Sequence, residues 1–174
     1  FGGRGGKQLI QSAVKQCALQ HDIPILQPKN LKKPDFLAEL KSYNANLQIV
    51  VAFRMLPVAV WNMPELGTYN LHGSLLPKYR GAAPINWAII KGEKITGVTS
   101  FKLKHKIDTG DILIKRSTEI GPSETAGDLY NRLKVIGAEV VLDTVKMIES
   151  GNIVLYEQDQ ESVSKAPKIH KEDC

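Results

Sequence analysis

The sequence predicts an α/β fold in which helices flank an open, mostly parallel sheet. Three observations predict it. Short apolar runs of strand length alternate with stretches of helical periodicity along the first hundred residues. One of those runs, "NLQIVVAF" at 46–53, is almost continuously apolar and rich in β-branched residues. That pattern suits a parallel strand covered on both faces. The third is a long amphipathic helix, "TAGDLYNRLKVIGAEVVLDTVKMIESG", wide enough to cover such a sheet.

The elements follow in order. "FGGRGGK" is a Gly-rich loop carrying two cations, and it is no phosphate-binding P-loop. That motif requires Gly where Phe1 stands and Ser or Thr where Gln8 stands. "QLIQSAVKQCALQH" sets Leu9, Ile10, Ala13, Val14, Cys17 and Ala18 on one helical face. "IPILQP" reads as a short strand closed by Pro28, and "PDFLAELKSY" as a short helix with Pro34 in its first turn. "PVAVWNMP" is a helical turn, "TYNL" a strand, and "APINWAIIKG" a helix with Pro84 near its start and Gly92 past its end. "ITGVTSFKLK" and "DILIKRSTEI" are strands. In the long helix Thr125 and Asp128 fit a capping box, Leu129, Leu133, Ile136, Val140, Val141 and Ile148 form the stripe, and Gly151 ends it. "NIVLYEQ" and a polar tail follow the long helix.

A chain of 174 residues, 43% hydrophobic and 24% charged, is long enough for one domain with a real core. It contains no apolar run of membrane-span length and no signal-peptide pattern. Cys17 and Cys174 make neither a metal-type spacing nor a disulfide framework, so a reducing, cytoplasmic setting is expected. The net charge of +5 and pI near 9.2 permit an anionic partner without requiring one.

The stretch "NLHGSLLPKYRGAAP", residues 70–84, is too polar for a core strand and too rich in Pro and Gly for a helix. It follows a strand directly, and in open α/β sheets ligands bind beyond the carboxyl ends of strands. Asn70 and His72 are two apart, so on an extended chain they emerge on the same face. Asp108 falls in the turn "KIDTGDIL" between two strands. An amide donor for an oxyanion, an imidazole and a carboxylate make an acyl-transfer set if the fold unites them. Taken singly, each also suits a structural role: a hydrogen-bonded His at a strand end, a turn Asp bonding its own backbone. His21, His105 and His170 receive no role. A single "DTG" lacks the second half of an aspartic protease dyad. On residues alone the chain is an α/β enzyme or a binding domain.

"VVAFRMLP", "MPELGTYNLHGSLLPKYRGAAPINWAI", "TGVTSFKL", "DTGDIL" and the closing "KAPKIHKED" together resemble the formyltransferase catalytic domain. Within it they are most similar to the branch that acts on initiator tRNA. The resemblance implies a Rossmann-like, open, mostly parallel twisted sheet with flanking helices. It implies that Asn70, His72 and Asp108 are catalytic. The donor would be 10-formyltetrahydrofolate, bound by Phe53, Arg54, Met55 and Leu56 and by Ser74, Leu75, Leu76 and Pro77. The acceptor would be methionyl initiator tRNA, whose phosphates would meet Arg4, Lys7, Lys78 and Arg80. No metal and no membrane are implied, and a monomer is expected.

The resemblance also implies a strand–helix–strand unit ahead of the Gly-rich loop. Residues 1–164 would then be an N-terminally incomplete catalytic domain, and 165–174 the start of a linker to a C-terminal domain. Other folate-dependent formyltransferases, which act on glycinamide ribonucleotide or sugar amines, and formyltetrahydrofolate hydrolase share the triad and remain alternatives. So does a non-catalytic folate- or tRNA-binding module.

Overall fold

The computed structural model describes residues 11–52 and 55–173. Arg4, Lys7, Phe53 and Arg54, with Leu9 and Ile10 of the first helical stripe, lie outside the described residues. The chain divides into two compact units, Phe1–Tyr43 and Asn44–Cys174.

The first unit carries helices α1 (Ala13–Gln20) and α2 (Pro34–Ser42). Ser12 caps α1 by accepting from Lys15 N at 3.3 Å. Pro34 opens α2, where its missing N–H removes no helical bond, and Asp35 and Lys41 sit at the ends that the helix dipole favours. The strand expected at "IPILQP" is absent: residues 23–28 form no ladder. Pro24 and Pro28 each remove a donor, which leaves too few N–H groups to hold a partner strand. Cys17, expected on an apolar face, is exposed.

The second unit is built on a four-stranded sheet in the order β1-β2-β4-β5, with β1 Gln48–Val51, β2 Thr68–His72, β4 Ile95–Lys102 and β5 Ile112–Glu119. A short pair, β3 (Arg80–Gly81) and β6 (Lys165–Ala166), stands apart from it. The helices are α3 (Val58–Trp61), α4 (Pro84–Ile90) and α5 (Ala126–Glu149). The open α/β sheet with flanking helices is as expected, but its strand directions differ. β1 and β2 run parallel, whereas β2–β4 and β4–β5 are antiparallel. The β4–β5 link is shorter than the dozen or so residues that a parallel crossover needs, so it can only close a hairpin. In β1, Val50 is buried and Val51 is 57% exposed, so cover on both faces does not hold along this run. "NIVLYEQ" is joined to β5 by one bridge, Tyr156 to Ile112.

Helix α5 covers one face of the sheet. Its stripe of Leu129, Leu133, Val140 and Ile148 is buried, and Leu129, Leu133 and Val140 pack with Val98 and Ala88. Gly137 lets β2 come close, since a β-carbon there would stand 2.7 Å from Leu71 Cδ2. Ser100 Oγ and Thr144 Oγ1, both buried, bond at 2.7 Å between sheet and helix. The capping box of Thr125 and Asp128 is present. Among the described residues, no helix is long and apolar enough to cross a membrane.

The loop after β2 covers part of the other face. Leu76 folds back over it into a cluster with Phe101 and Ile112, all three buried. Thr99 Oγ1 holds that return twice, donating to Ser74 O at 2.7 Å and accepting from Leu76 N at 3.1 Å. The polar loop after β2 is thus pinned across the sheet face onto which Asn70 and His72 open.

Candidate active site

Alternation along β2 separates two kinds of work. Tyr69 and Leu71 pack toward α5, while Thr68, Asn70 and His72 project the other way, and all three of the latter are buried. Thr68 Oγ1 donates within reach of Trp61 O at 2.6 Å and Gln48 Oε1 at 3.0 Å, fastening the strand's start. Asn70 Oδ1 is buried and has no hydrogen-bond partner among the described residues. An unsatisfied buried acceptor costs on the order of 1–3 kcal/mol, so it marks a place where a partner is owed.

His72 ends the strand with its ring fixed. Nε2 lies 2.8 Å from Tyr79 O. A carbonyl can only accept, so Nε2 carries the proton and donates. Nδ1 then faces Asp108 Oδ2 at 3.9 Å, both groups buried. That is beyond a direct hydrogen bond, yet close enough for one water beside the pair to bond both. Sequence reasoning placed Asp108 and His72 together only through the family resemblance; the fold unites them.

Asp108 occupies the left-handed region at φ 53°, which Asp tolerates better than most residues. Its Oδ2 accepts from Gly81 N at 2.9 Å. Behind it, Gly110 admits the backbone of β4: a β-carbon there would stand 1.7 Å from Lys102 O. The "DTG" turn is therefore shaped by a close backbone approach. Tyr79 is also left-handed, at φ 59°, an outlier for a bulky residue. It is held at three points: N to Ser164 Oγ at 2.8 Å, O from His72, and OH to Glu93 Oε1 at 2.6 Å. Burial first, then the Glu93 hydrogen bond and charge, push its hydroxyl up to about 12.

The remaining expected residues are distributed as follows. Ser74 is fully buried and its Oγ donates to Lys78 O at 2.6 Å, closing the loop on itself. Leu76 is core, and Leu75 packs at Gly97, whose imagined β-carbon would meet Leu75 Cδ2 at 2.7 Å. The Leu76–Pro77 bond is cis, and Pro77 is buried. Met55 is exposed and Leu56 half-buried. A groove of about 360 Å³ opens beside Pro77, lined by Ile112, Leu113, Lys115, Tyr156, Glu157 and Asp159, so Asn70, His72 and Asp108 do not line it. Lys78 is exposed, whereas Arg80 is half-buried and gives Nε and Nη2 to Gln158 Oε1 at 3.0 and 2.7 Å. Among the described residues, no group of three or more His, Cys, Asp or Glu could hold a metal ion.

Two residues of this region were passed over in the sequence. Gln158 closes the stretch "NIVLYEQ" after the long helix, and Ser164 falls in the polar tail. Both are tied to the loop and the "DTG" turn from far along the chain. No local pattern announces that, because every partner is about 50 residues away or more.

The arrangement offers a carboxylate and an imidazole nitrogen across a gap, with a buried amide two residues along the strand. Comparisons with known proteins identify the family. The formyl transferase family model matches residues 2–145. The methionyl-tRNA formyltransferase of Flavobacterium johnsoniae is 56% identical over 173 residues, covering 99% of this chain and 55% of that protein. That of Porphyromonas gingivalis is 52% identical over 176 residues, covering 99% and 54%. The chain spans about half the length of the curated relatives it matches. Among solved structures, HypX from Aquifex aeolicus in complex with tetrahydrofolic acid superposes with a TM-score of 0.69 at 27% identity, over 81% of this chain and 24% of that one. WlaRD, a sugar 3N-formyl transferase, shares the fold with a TM-score of 0.71 at 22% identity, over 91% and 54%. With the family model spanning most of its length, the chain belongs to the formyl transferase family.

Proposed function

We propose that this chain is the catalytic part of an enzyme that moves a formyl group from 10-formyltetrahydrofolate to the α-amine of methionyl initiator tRNA. The chemistry rests on one observation: His72 Nδ1 and Asp108 Oδ2 face each other across 3.9 Å, buried, with neither bonded directly to the other. The acceptor rests on relatives named for methionyl-tRNA that are identical to this chain at half or more of the aligned positions.

In this reading the neutral amine attacks the formyl carbon, and charge gathers on the formyl oxygen. The Asn70 amide N–H stabilises that oxyanion, joined by His72 Nδ1–H when the ring is doubly protonated, since Nε2–H is committed to Tyr79 O. Asn70 Oδ1, buried and unpartnered, suits an N–H of the incoming amine. The Asp108 carboxylate takes the amine proton, directly or through one water, as the C–N bond forms. Collapse breaks the bond from carbon to N10 of the folate, and the same proton returns to N10. Atoms and charge balance with no further reactant.

The donor lies against the loop Ser74–Pro77, whose pinned backbone can border a flat heterocycle, and against the segment Phe53–Leu56 that the family resemblance implies. Leu76 N–H is already given to Thr99, and the Ser74 and Leu76 side chains are inside, so any polar contact from these two residues comes from their carbonyl oxygens or from Ser74 N–H. Lys78, exposed on the same loop, reaches tRNA phosphate, as do Arg4 and Lys7 of the Gly-rich loop. Any phosphate contact by Arg80 uses the guanidinium edge turned from Gln158. Residues 165–174 lead toward a further domain.

The test is product formation by the full-length protein from 10-formyltetrahydrofolate with three acceptors: methionyl initiator tRNA, an amino sugar nucleotide, and water. Formylmethionyl-tRNA as the main product supports the reading. Formylated sugar or free formate as the main product would assign the chain to a different branch.

A further inference from the structure

We propose that Gln158 is a positioning residue for Asp108 and that Arg80 acts through it. The inference rests on the assignment of Asp108 to the reacting centre. Gln158 is only 5% exposed, on a segment with no strand or helix of its own. Its Nε2 donates to Asp108 O and to Gly110 O, each at 2.8 Å. Its Oε1 accepts from Arg80 Nε at 3.0 Å and Nη2 at 2.7 Å.

A primary amide has two N–H donors and two acceptor lone pairs, and all four are used here. The two carbonyls cannot donate and the guanidinium cannot accept, so the amide has one permitted orientation. Glu at this position would turn lone pairs onto both carbonyls. Asn would be one methylene too short to span the same partners.

What Gln158 grips is the turn that aims Asp108. The two carbonyls flank Thr109, between a left-handed Asp108 and a glycine pressed against Lys102 O. The other end of Asp108 is held from β3, where Gly81 N donates to Oδ2 at 2.9 Å. Arg80 and Gly81 are adjacent, so one dipeptide fixes both the carboxylate and, through Gln158, the backbone beneath it. That dipeptide is itself anchored by β6, with Arg80 N donating to Ser164 O at 2.9 Å. A proton acceptor must sit within a fraction of an ångström of its working place, and a misplacement of about 1 Å can cost about 10²-fold.

The experiment uses the full-length protein and compares Gln158→Glu, Arg80→Met and Asp108→Asn, singly and in pairs. Turnover at saturation, direct donor binding and thermal melting are measured. For Gln158→Glu and for Arg80→Met, turnover is expected to fall about tenfold or more, with donor affinity within about threefold of the parent. Adding either change to Asp108→Asn is expected to cost little more, because residues that act as one unit are not additive. Parent turnover in Gln158→Glu, or a loss that adds in full to that of Asp108→Asn, would overturn the proposal. If Gln158→Glu does not fold, Arg80→Met carries the same two outcomes, since it keeps the bonds from Gln158 to the turn. If the parent shows no turnover that depends on Asp108, the functional reading falls instead. Positioning is then decided by amide hydrogen exchange at Gly81: about tenfold faster exchange in the variant supports it, and unchanged exchange contradicts it.

Discussion

His72 donates through Nε2 to the carbonyl of Tyr79 at 2.8 Å and so presents Nδ1, not Nε2, to Asp108. The orientation of the ring is therefore set by the loop and not by the carboxylate. The neutral ring is expected to be the Nε2–H tautomer. Nitrogen-15 shifts of labelled histidine, with His72→Gln identifying the signal among four histidines, check this. An unprotonated signature at Nδ1 is the expected outcome; one at Nε2 would mean that the Tyr79 contact does not hold in solution.

Tyr79 makes the loop sensitive to alkali. Its hydroxyl is held up to about 12 by burial and by Glu93, against an ordinary value of 10.0. The folded state therefore keeps this proton more tightly than the unfolded state does. The resulting stabilisation is complete below pH 10 and is lost as pH rises from 10 toward 12. Urea midpoints at pH 9 and pH 11 should fall more for the parent than for Tyr79→Phe. Equal falls would show that Tyr79 titrates as an unperturbed tyrosine.

Gly110 and Gly92 separate crowding from backbone strain. Gly110→Ala drives a β-carbon into Lys102 O, whereas at Gly92 there is nothing within 4 Å and only the φ of +66° resists a side chain. Chemical denaturation should show a loss of at least 1–3 kcal/mol, roughly, for the first and about 1 kcal/mol for the second. A Gly110→Ala variant as stable as Gly92→Ala would mean that the turn relaxes freely.

Lys78 is exposed on the loop that carries the site. In the full-length protein, tRNA affinity should fall steeply with salt, and Lys78→Ala should lower the log–log slope by about 0.7–0.9, the share of one phosphate contact. An unchanged slope would leave Lys78 as a solvated loop charge.

Much of the fold was legible because it is written in local patterns. The stripe of α5, its Thr125–Asp128 box, and the strand–turn–strand around "DTG" all stand where their residues predict. "IPILQP" failed because apolar content cannot make a strand when Pro24 and Pro28 withhold donors. The antiparallel β4–β5 pair is legible in its short turn, whereas the antiparallel β2–β4 pair, joined through β3 and α4, has no such local signal. In the site, Asn70 and His72 were legible through their spacing of two on a strand. Gln158 was not, since its partners Arg80 and Asp108 reach it only through the tertiary fold, and the same distance hid the engagement of Arg80.

The central claim is that Asp108 takes the amine proton across the gap from His72. The most direct test is kcat of Asp108→Asn in the full-length protein, at saturating 10-formyltetrahydrofolate and methionyl initiator tRNA, beside a titration of donor binding. Asparagine keeps the size and the hydrogen-bonding reach but cannot accept the proton. Donor binding is expected to be retained, with turnover lowered by about 10²-fold or more. Turnover at the parent rate would contradict the claim and leave Asp108 a turn residue.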